Sequence, residues 1–300
     1  MVTSKNIPKK HHFVSACYLK MFTLGKTKSS TIFCFDLTRK KGFTQIPKNI
    51  GCEYGFNKLD PEGTALIETE LSKFEALAEK AISNIEQNLV FEKNDKAVIL
   101  NLIALYAIRT PKMRNHWNSI MEDWLKRDLA ITAAQPIGTK VSSGLEVTQE
   151  LKEFVEKIPY RLTFPSSQNM EMEFKLLNDG IIQASLAKRK WMLVKAPDEY
   201  HFITSDNPVS LIWKNQNIKM SPGYGCSNTQ VIFPLSSKIT LVGDFDGKDE
   251  THIGTPENIA RINTNTRVSA DSFIYCPKPN FHFIKRINNQ DVVNFFTIKT

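Results

Sequence analysis

No two of the five cysteines (Cys17, Cys34, Cys52, Cys226, Cys276) form a CxxC pair, and their number is odd. Such spacing implies neither a zinc ribbon nor a disulfide framework, and a reducing compartment is expected. Long hydrophobic runs are missing too. The longest apolar-rich stretch, Ala97–Ile108, is 12 residues, is interrupted by Asn101 and ends at Arg109, which is too short to span a bilayer. The opening MVTSKNIPKKHHF carries lysines but no apolar h-region, so no signal peptide is expected. A cytoplasmic protein without a membrane partner is the expectation. The standard catalytic motifs are absent as well: no P-loop, no Rossmann glycine pattern, no HExxH, no GxSxG and no EF-hand loop. Pro222-Gly223-Tyr224-Gly225 lacks the serine that a nucleophile elbow needs, and Cys17 and Cys226 have no recognisable Cys–His hydrolase context.

What is present is an ordinary globular composition, 41% hydrophobic and 23% charged over 300 residues, which excludes disordered, collagen-like and coiled-coil chains. The net charge of +8 is unevenly placed. Residues 1–50 hold ten basic residues (Lys5, Lys9, Lys10, Lys20, Lys26, Lys28, Arg39, Lys40, Lys41, Lys48) against one acid, Asp36, whereas the other 250 sum to −1. A local basic surface concentrates a polyanion without reading its sequence, and a lysine-rich edge also keeps an exposed hairpin soluble. RNA or DNA is thus a permitted partner, with Lys9, Lys10, Arg39, Lys40 and Lys41 as contact residues.

The order of elements points to α+β. Thr31–Asp36 and Phe43–Ile46 form a hairpin with Arg39-Lys40-Lys41-Gly42 at its tip, stopped by Pro47. From Glu62 to Asn88 the apolar residues recur three or four apart, an amphipathic helix. Asn94 or Asp95 caps a second helix through Ala97–Arg109, apolar on most faces and expected at the centre of the core. Pro111 ends it, and helix resumes from Lys112 to Ala134, with Met113, Trp117 and Trp124 expected in the core. Thr148–Ile158 and Met170–Lys188 are two further helices. Strands are expected at Trp191–Lys195, His201–Thr204, Ser210–Trp213, Gln230–Phe233, Ile239–Val242 and Ser272–Tyr275, with a short helix at Ile259–Asn265. The reading is a central helical bundle flanked by an N-terminal β-hairpin and a C-terminal, mainly antiparallel sheet. One domain spans 1–300: a basic β-rich segment over 1–50, helices over 61–190 and strands over 191–300.

Three places carry candidate chemistry. His11 and His12 point to opposite sides of an extended chain, and an imidazole serves as general base or metal ligand, or simply bonds backbone. In His201–Val209 an apolar strand runs into Thr204-Ser205-Asp206-Asn207-Pro208. There Asp206 suits a cation or a histidine and Asn207 a carbonyl or phosphate oxygen, or both close an Asx-turn. Arg109, after a nearly all-apolar helix, must be paired or reach solvent. Glu68, Glu75 and Asp206 are its candidate partners, with a phosphate or carboxylate ligand as the alternative.

In sequence order these segments resemble a bacterial family known as "domain of unknown function 4238". Its opening HHxVPxxYLxxF is matched by His11-His12-Phe13-Val14, Tyr18-Leu19 and Phe22. Ile32–Asp36, the glutamate pair Glu68 and Glu75, and Arg109-Thr110-Pro111 follow. Then come Trp191, Phe202–Val209, Phe233–Ser236 and Ile262-Asn263. The resemblance covers residues 9–276 and implies that His11, His12, Arg109, Asp206 and Asn207 belong to a site. It carries no activity with it. Ser15 stands where the family has proline, so a freer backbone is expected beside the histidines.

Two functions fit. One is a metal-dependent phosphodiesterase or nuclease, such as an anti-phage defence effector or toxin. Its catalytic residues are His11, His12, Arg109, Asp206 and Asn207, and Mg²⁺ or Mn²⁺ is held by Asp206 with Glu68 or Glu75. The other is a binding module without chemistry, contacting nucleic acid or an acidic protein, whose His, Arg and Asp tie the N-terminal segment to the C-terminal sheet. Other small-molecule hydrolases and transferases stay open, and the spacing says nothing of oligomeric state.

Overall fold

A computed structural model describes residues 9–142, 144–157, 160–215, 217–287 and 290–298. The chain enters through a short strand, β1 (Lys10–His12), and a single helical turn, α1 (Ala16–Leu19), capped by Ser15 Oγ, which accepts from the Tyr18 N–H at 3.2 Å. The expected hairpin follows as β2 (Ile32–Asp36) and β3 (Lys41–Gln45), with Asp36 opposite Lys41. Asp36 closes the turn itself, its Oδ1 accepting from the N–H groups of Thr38 and Arg39 at 2.9 and 2.8 Å. Pro47 then opens a 3₁₀ turn that leads to β4 (Cys52–Tyr54).

Helix punctuation is local. α2 (Pro61–Asn88) starts on an Asp60 cap with Pro61 in its first turn and stops at Leu89, whose φ is 54°. α3 (Lys93–Ile108) buries nine of its residues and lies in the core as expected, although it begins before Asn94 and without a side-chain cap. Pro111 breaks the helix, and Thr110 caps α4 (Pro111–Ala133). α5 (Gln149–Lys157) follows; Ile158, its expected end, lies outside the described residues. The helix expected over 170–188 is two, α6 (Ser166–Asn178) and α7 (Ile181–Ala187), because Gly180 takes φ 66° between them.

The C-terminal part holds β5 (Lys190–Lys195), β6 (Thr204–Ser205), β7 (Ser210–Trp213), β8 (Thr229–Pro234), β9 (Ile239–Asp244) and β10 (Glu250–Ile253). α8 (Pro256–Ser269), β11 (Phe273–Cys276), β12 (Asn280–Ile287) and β13 (Gln290–Thr297) complete it. Five strands form one sheet in the order β10-β5-β9-β8-β7, with β10–β5 parallel and the other pairs antiparallel. The N-terminal hairpin joins the C-terminal strands in a second sheet, β3-β2-β11-β6, while β1–β4 and β12–β13 are separate pairs. The fold is therefore α+β. Among the described residues no helix is long and apolar enough to cross a membrane.

One buried cluster draws on Phe13, Tyr18 and Phe22 from the front, Ile99, Leu102, Ile103 and Tyr106 from α3, and Trp191, Phe233 and Tyr275 from the sheets. Tyr18 lies at its middle, stacked on Phe233 with rings 10° apart; its hydroxyl donates to the Pro234 carbonyl at 2.7 Å and lies 2.8 Å from Thr204 Oγ1. Two expectations fail here. α4 leaves the core after Arg114 and buries nothing further until Thr132, so Trp124 is 59% exposed and Met113 and Trp117 only half-buried. His201–Ile203 is not strand: the Phe202 N–H donates to Ser237 O and the Ile203 N–H to Asn263 Oδ1.

The β5–β9 pairing sets Trp191 opposite Gly243. A Cβ on Gly243 would lie 2.7 Å from the indole ring, which the Leu186 carbonyl holds at 3.1 Å through Nε1–H. Gly243→Ala should therefore cost about 1–3 kcal/mol in urea denaturation.

Candidate functional site

Antiparallel pairing with β4 sets His11 opposite Glu53 and His12 opposite Cys52. His11 is buried, and its Nδ1 accepts from the Asn57 N–H at 2.9 Å. In the neutral ring the proton is therefore on Nε2, which has no partner among the described residues. His12, on the other side, is half-buried, and its Nε2 is also unpartnered among the described residues. Burial draws its pKa below 6.5, opposed by the charge of Glu68 and by the backbone at Pro47 and Lys48. Ser15 does not loosen this segment. Its N–H donates to Tyr106 Oη at 3.1 Å, a bond proline cannot make, and Tyr106 donates back to Ser15 Oγ at 3.1 Å.

Asn57 is the hub behind the histidines. Its Nδ2 donates to Glu68 Oε1 at 2.7 Å, and its Oδ1 accepts from Arg109 Nη2 at 2.6 Å. Arg109 ends α3 fully buried. Its Nε lies 3.4 Å from Glu173 Oε2, attractive but not aligned as a hydrogen bond. Burial holds this guanidinium below its usual range, Glu173 opposing and Arg114 adding to the effect. Glu173, on α6, also takes Arg114 in a two-pronged contact, Nε to Oε1 and Nη2 to Oε2. Arg114 Nη1 donates to the Phe56 carbonyl at 2.6 Å, and its guanidinium lies 3.4 Å from the Phe56 ring centroid. Sequence reasoning missed Asn57, Arg114 and Glu173. The available signal was Arg114 itself, a cation in the first turns of a helix, where the dipole disfavours it.

Glu68, Glu75, Glu79 and Glu86 are spaced seven, four and seven apart, one face of α2 turned toward the basic front. Glu79 takes Lys20 at 2.5 Å; Glu86 takes Lys26 at 2.6 Å and the Ser236 hydroxyl at 2.9 Å. Among the described residues Glu75 has no such partner. Burial pushes its pKa up to about 7, with Arg109 opposing and Glu68 adding. Lys28, exposed, exerts its charge on Glu75, His12 and Cys17. Burial pushes the Cys17 thiol up, away from the thiolate a nucleophile needs.

Asp206 and Asn207 stand apart from this cluster. Both Asp206 oxygens accept backbone N–H groups, from Asp271 at 2.9 Å and from Ser272 and Phe273 at 2.7 and 2.9 Å. Burial raises its pKa against those three bonds. Asn207 accepts from the Thr110 hydroxyl at 3.2 Å and donates to Ser269 O at 2.8 Å, tying the α4 cap to the end of α8. Arg109 pairs with Asn57 and Glu173, not with Asp206. Among the described residues no three His, Cys, Asp or Glu side chains gather as a metal site, so Asp206 is not brought to Glu68 and Glu75.

The expected contact cations are all exposed: Lys9 and Lys10 at β1, and Arg39, Lys40 and Lys41 at the hairpin tip. Lys10 lies over the Tyr54 ring at 5.2 Å, and Arg39 is 3.8 Å from Asp36. Lys5 lies outside the described residues.

These joined segments are the ones on which the family resemblance rests. The chain belongs to the family described as "Protein of unknown function (DUF4238)", whose profile matches residues 10–279. No curated protein and no solved structure matches it.

Asp206→Ala strands three backbone donors and should cost about 3 kcal/mol in urea denaturation. Glu75 has the opposite pH signature to a paired carboxylate. Between its ordinary 4.5 and about 7 the folded chain keeps a proton that the unfolded chain releases. That stabilisation is full below pH 4.5 and is lost as pH rises through 7, and Glu75→Gln should flatten this part of the stability profile.

Proposed function

We propose that the chain is a hydrolase of phosphodiester bonds in nucleic acid, a nuclease with His12 and Glu75 as its acid–base pair. The observation that carries this reading is the electrostatic cluster of His12, Glu68, Glu75, Arg109 and Lys28, with an unpartnered His12 Nε2 and a carboxyl that titrates near neutrality. Environments that push two titrating groups apart mark acid and base assignments. Neutral His12 takes the proton of the attacking water, and protonated Glu75 gives one to the leaving oxygen. Exposed Lys28 meets the phosphate charge. Buried Arg109 holds Asn57, and through it Glu68, in position. Mg²⁺ or Mn²⁺ enters this reading at Glu68 and Glu75, since Asp206 is committed to backbone. Ion binding would then turn Glu75 from proton donor into ligand. A cytoplasmic defence effector or toxin is the setting we infer for such an activity.

The binding-module reading is favoured by a different observation: Glu173, Arg114, Asp206 and Asn207 are satisfied by partners within the chain.

Cleavage of labelled RNA, single-stranded DNA and duplex DNA, with Mg²⁺, Mn²⁺ or EDTA, separates the two. His12→Ala and Glu75→Gln should each slow cleavage by about 10²–10⁴-fold without lowering the melting temperature. The wild-type rate should fall above about pH 7 as Glu75 loses its proton, and below the lowered pKa of His12. Absence of cleavage, with binding that Lys40→Glu and Lys41→Glu weaken, would establish the module instead.

A further inference from the structure

α4 turns one face away from the rest of the chain. With 3.6 residues per turn, Trp117, Ile120, Met121, Trp124 and Ile131 fall on a single stripe of it. Ile120, Met121, Trp124 and Ile131 are all exposed, Ile131 by 65%, and Trp117 is half-buried. The chain's own cover lies on other flanks of the helix. Arg114, Thr132 and Ala133 are buried there, Lys126 Nζ lies 5.3 Å from the Tyr160 ring centroid, and Glu122 accepts from the Leu162 N–H at 3.2 Å. Although the whole chain carries +8, the charge of α4 is balanced. Besides buried Arg114 it holds three bases (Lys112, Lys126, Arg127) and three acids (Glu122, Asp123, Asp128). Glu122 and Lys126 take each other at 2.8 Å. Asp123 and Arg127, both exposed and one turn apart on one edge of the stripe, have no ion-pair partner among the described residues. Asp128, also exposed, stands on the other edge beside Met121.

We propose that this stripe is the interface of a homodimer in which two copies of α4 pack antiparallel about a two-fold axis close to Trp124. A two-fold of that kind reverses the helix and brings each edge of the stripe against the same edge of the other copy. Asp123 of one copy then comes within a turn of Arg127 of the other, and the symmetry forms this pair twice. A parallel pair would bring opposite edges together and set Asp123 against Asp128, two like-charge contacts. An axis close to Trp124 also places Trp117 across from Ile131 of the second copy, so large side chains fill both ends of the seam. Tryptophans near the centre of a desolvated patch are the side chains that dominate binding energy at interfaces. A polyanion finds no net positive charge on this face, whereas a second copy matches both the apolar stripe and the order of signs along its edge. Dimer formation does not depend on the hydrolase reading.

Sedimentation equilibrium of the full chain over the micromolar range tests the interface, and the wild type should sediment as a dimer. Trp124→Glu, at an exposed position, should raise the dissociation constant by about a hundredfold or more with an unchanged far-ultraviolet circular dichroism spectrum. Arg127→Asp should weaken the dimer about tenfold, because it sets two acids against each other on both sides of the axis. Adding Asp123→Arg to Arg127→Asp exchanges the two signs and should restore the wild-type constant. A monomer throughout the range, or a species larger than the dimer, overturns the proposal. So does a dimer that Trp124→Glu leaves intact, since it would be built on another face. A dimer that Trp124→Glu breaks but that the two charge changes neither weaken nor restore overturns the antiparallel arrangement.

Discussion

The Glu173 carboxylate, shut away from water on α6, neutralises Arg114 and draws Arg109 toward it. Neither arginine is tolerable in that interior without it, since an uncompensated buried charge is among the most expensive defects a fold can hold. Through these two cations the carboxylate governs much that is distant in sequence. Arg114 grips the loop ahead of α2 at Phe56, and Arg109 reaches Asn57, whose backbone orients His11 and whose side chain orients Glu68. The candidate site is thus assembled from behind, by a charge that does not belong to it.

The polar residues of the family pattern divide along the same line. Tyr18, Thr204 and the Pro234 carbonyl are one hydrogen-bonded joint. Asp206 closes the turn before β11, and Asn263 receives the Ile203 N–H while donating to the His201 and His282 carbonyls. These positions join elements, and their oxygens and nitrogens are spent doing so. His12, Glu68 and Glu75 are different: they face a charged cluster, and neither His12 Nε2 nor the Glu75 carboxyl is spent on a structural bond.

Much of the architecture was legible because it is written locally. The hairpin, the apolar third helix and the break at Pro111 follow from alternation, periodicity and a missing N–H. β10 was not legible, because Glu-Thr-His-Ile is exposed throughout and has no apolar face to announce it. β1 and β4 are three residues each and are defined by each other, which no local pattern reveals. The stripe of α4 misled, since helical spacing of Trp117 and Trp124 says that a face exists but not that anything covers it. For the site, His12 and Glu75 were readable as residue types. The commitment of Asp206 to N–H groups 65 to 67 positions away was not, because a carboxylate at an element end looks alike whether it waits for an ion or holds a turn.

The acidic face of α2 has a bearing on how the chain meets a polyanion. Lys20 and Lys26 are each matched by a glutamate within 2.6 Å, so their charge is cancelled at close range. From a Debye length away, roughly 8–10 Å in physiological salt, the front of the chain projects a weaker field than its sequence charge suggests. Long-range steering is correspondingly modest. Capture of a strand would depend on the few cations left bare at the hairpin tip and β1, and would be decided by contact more than by approach.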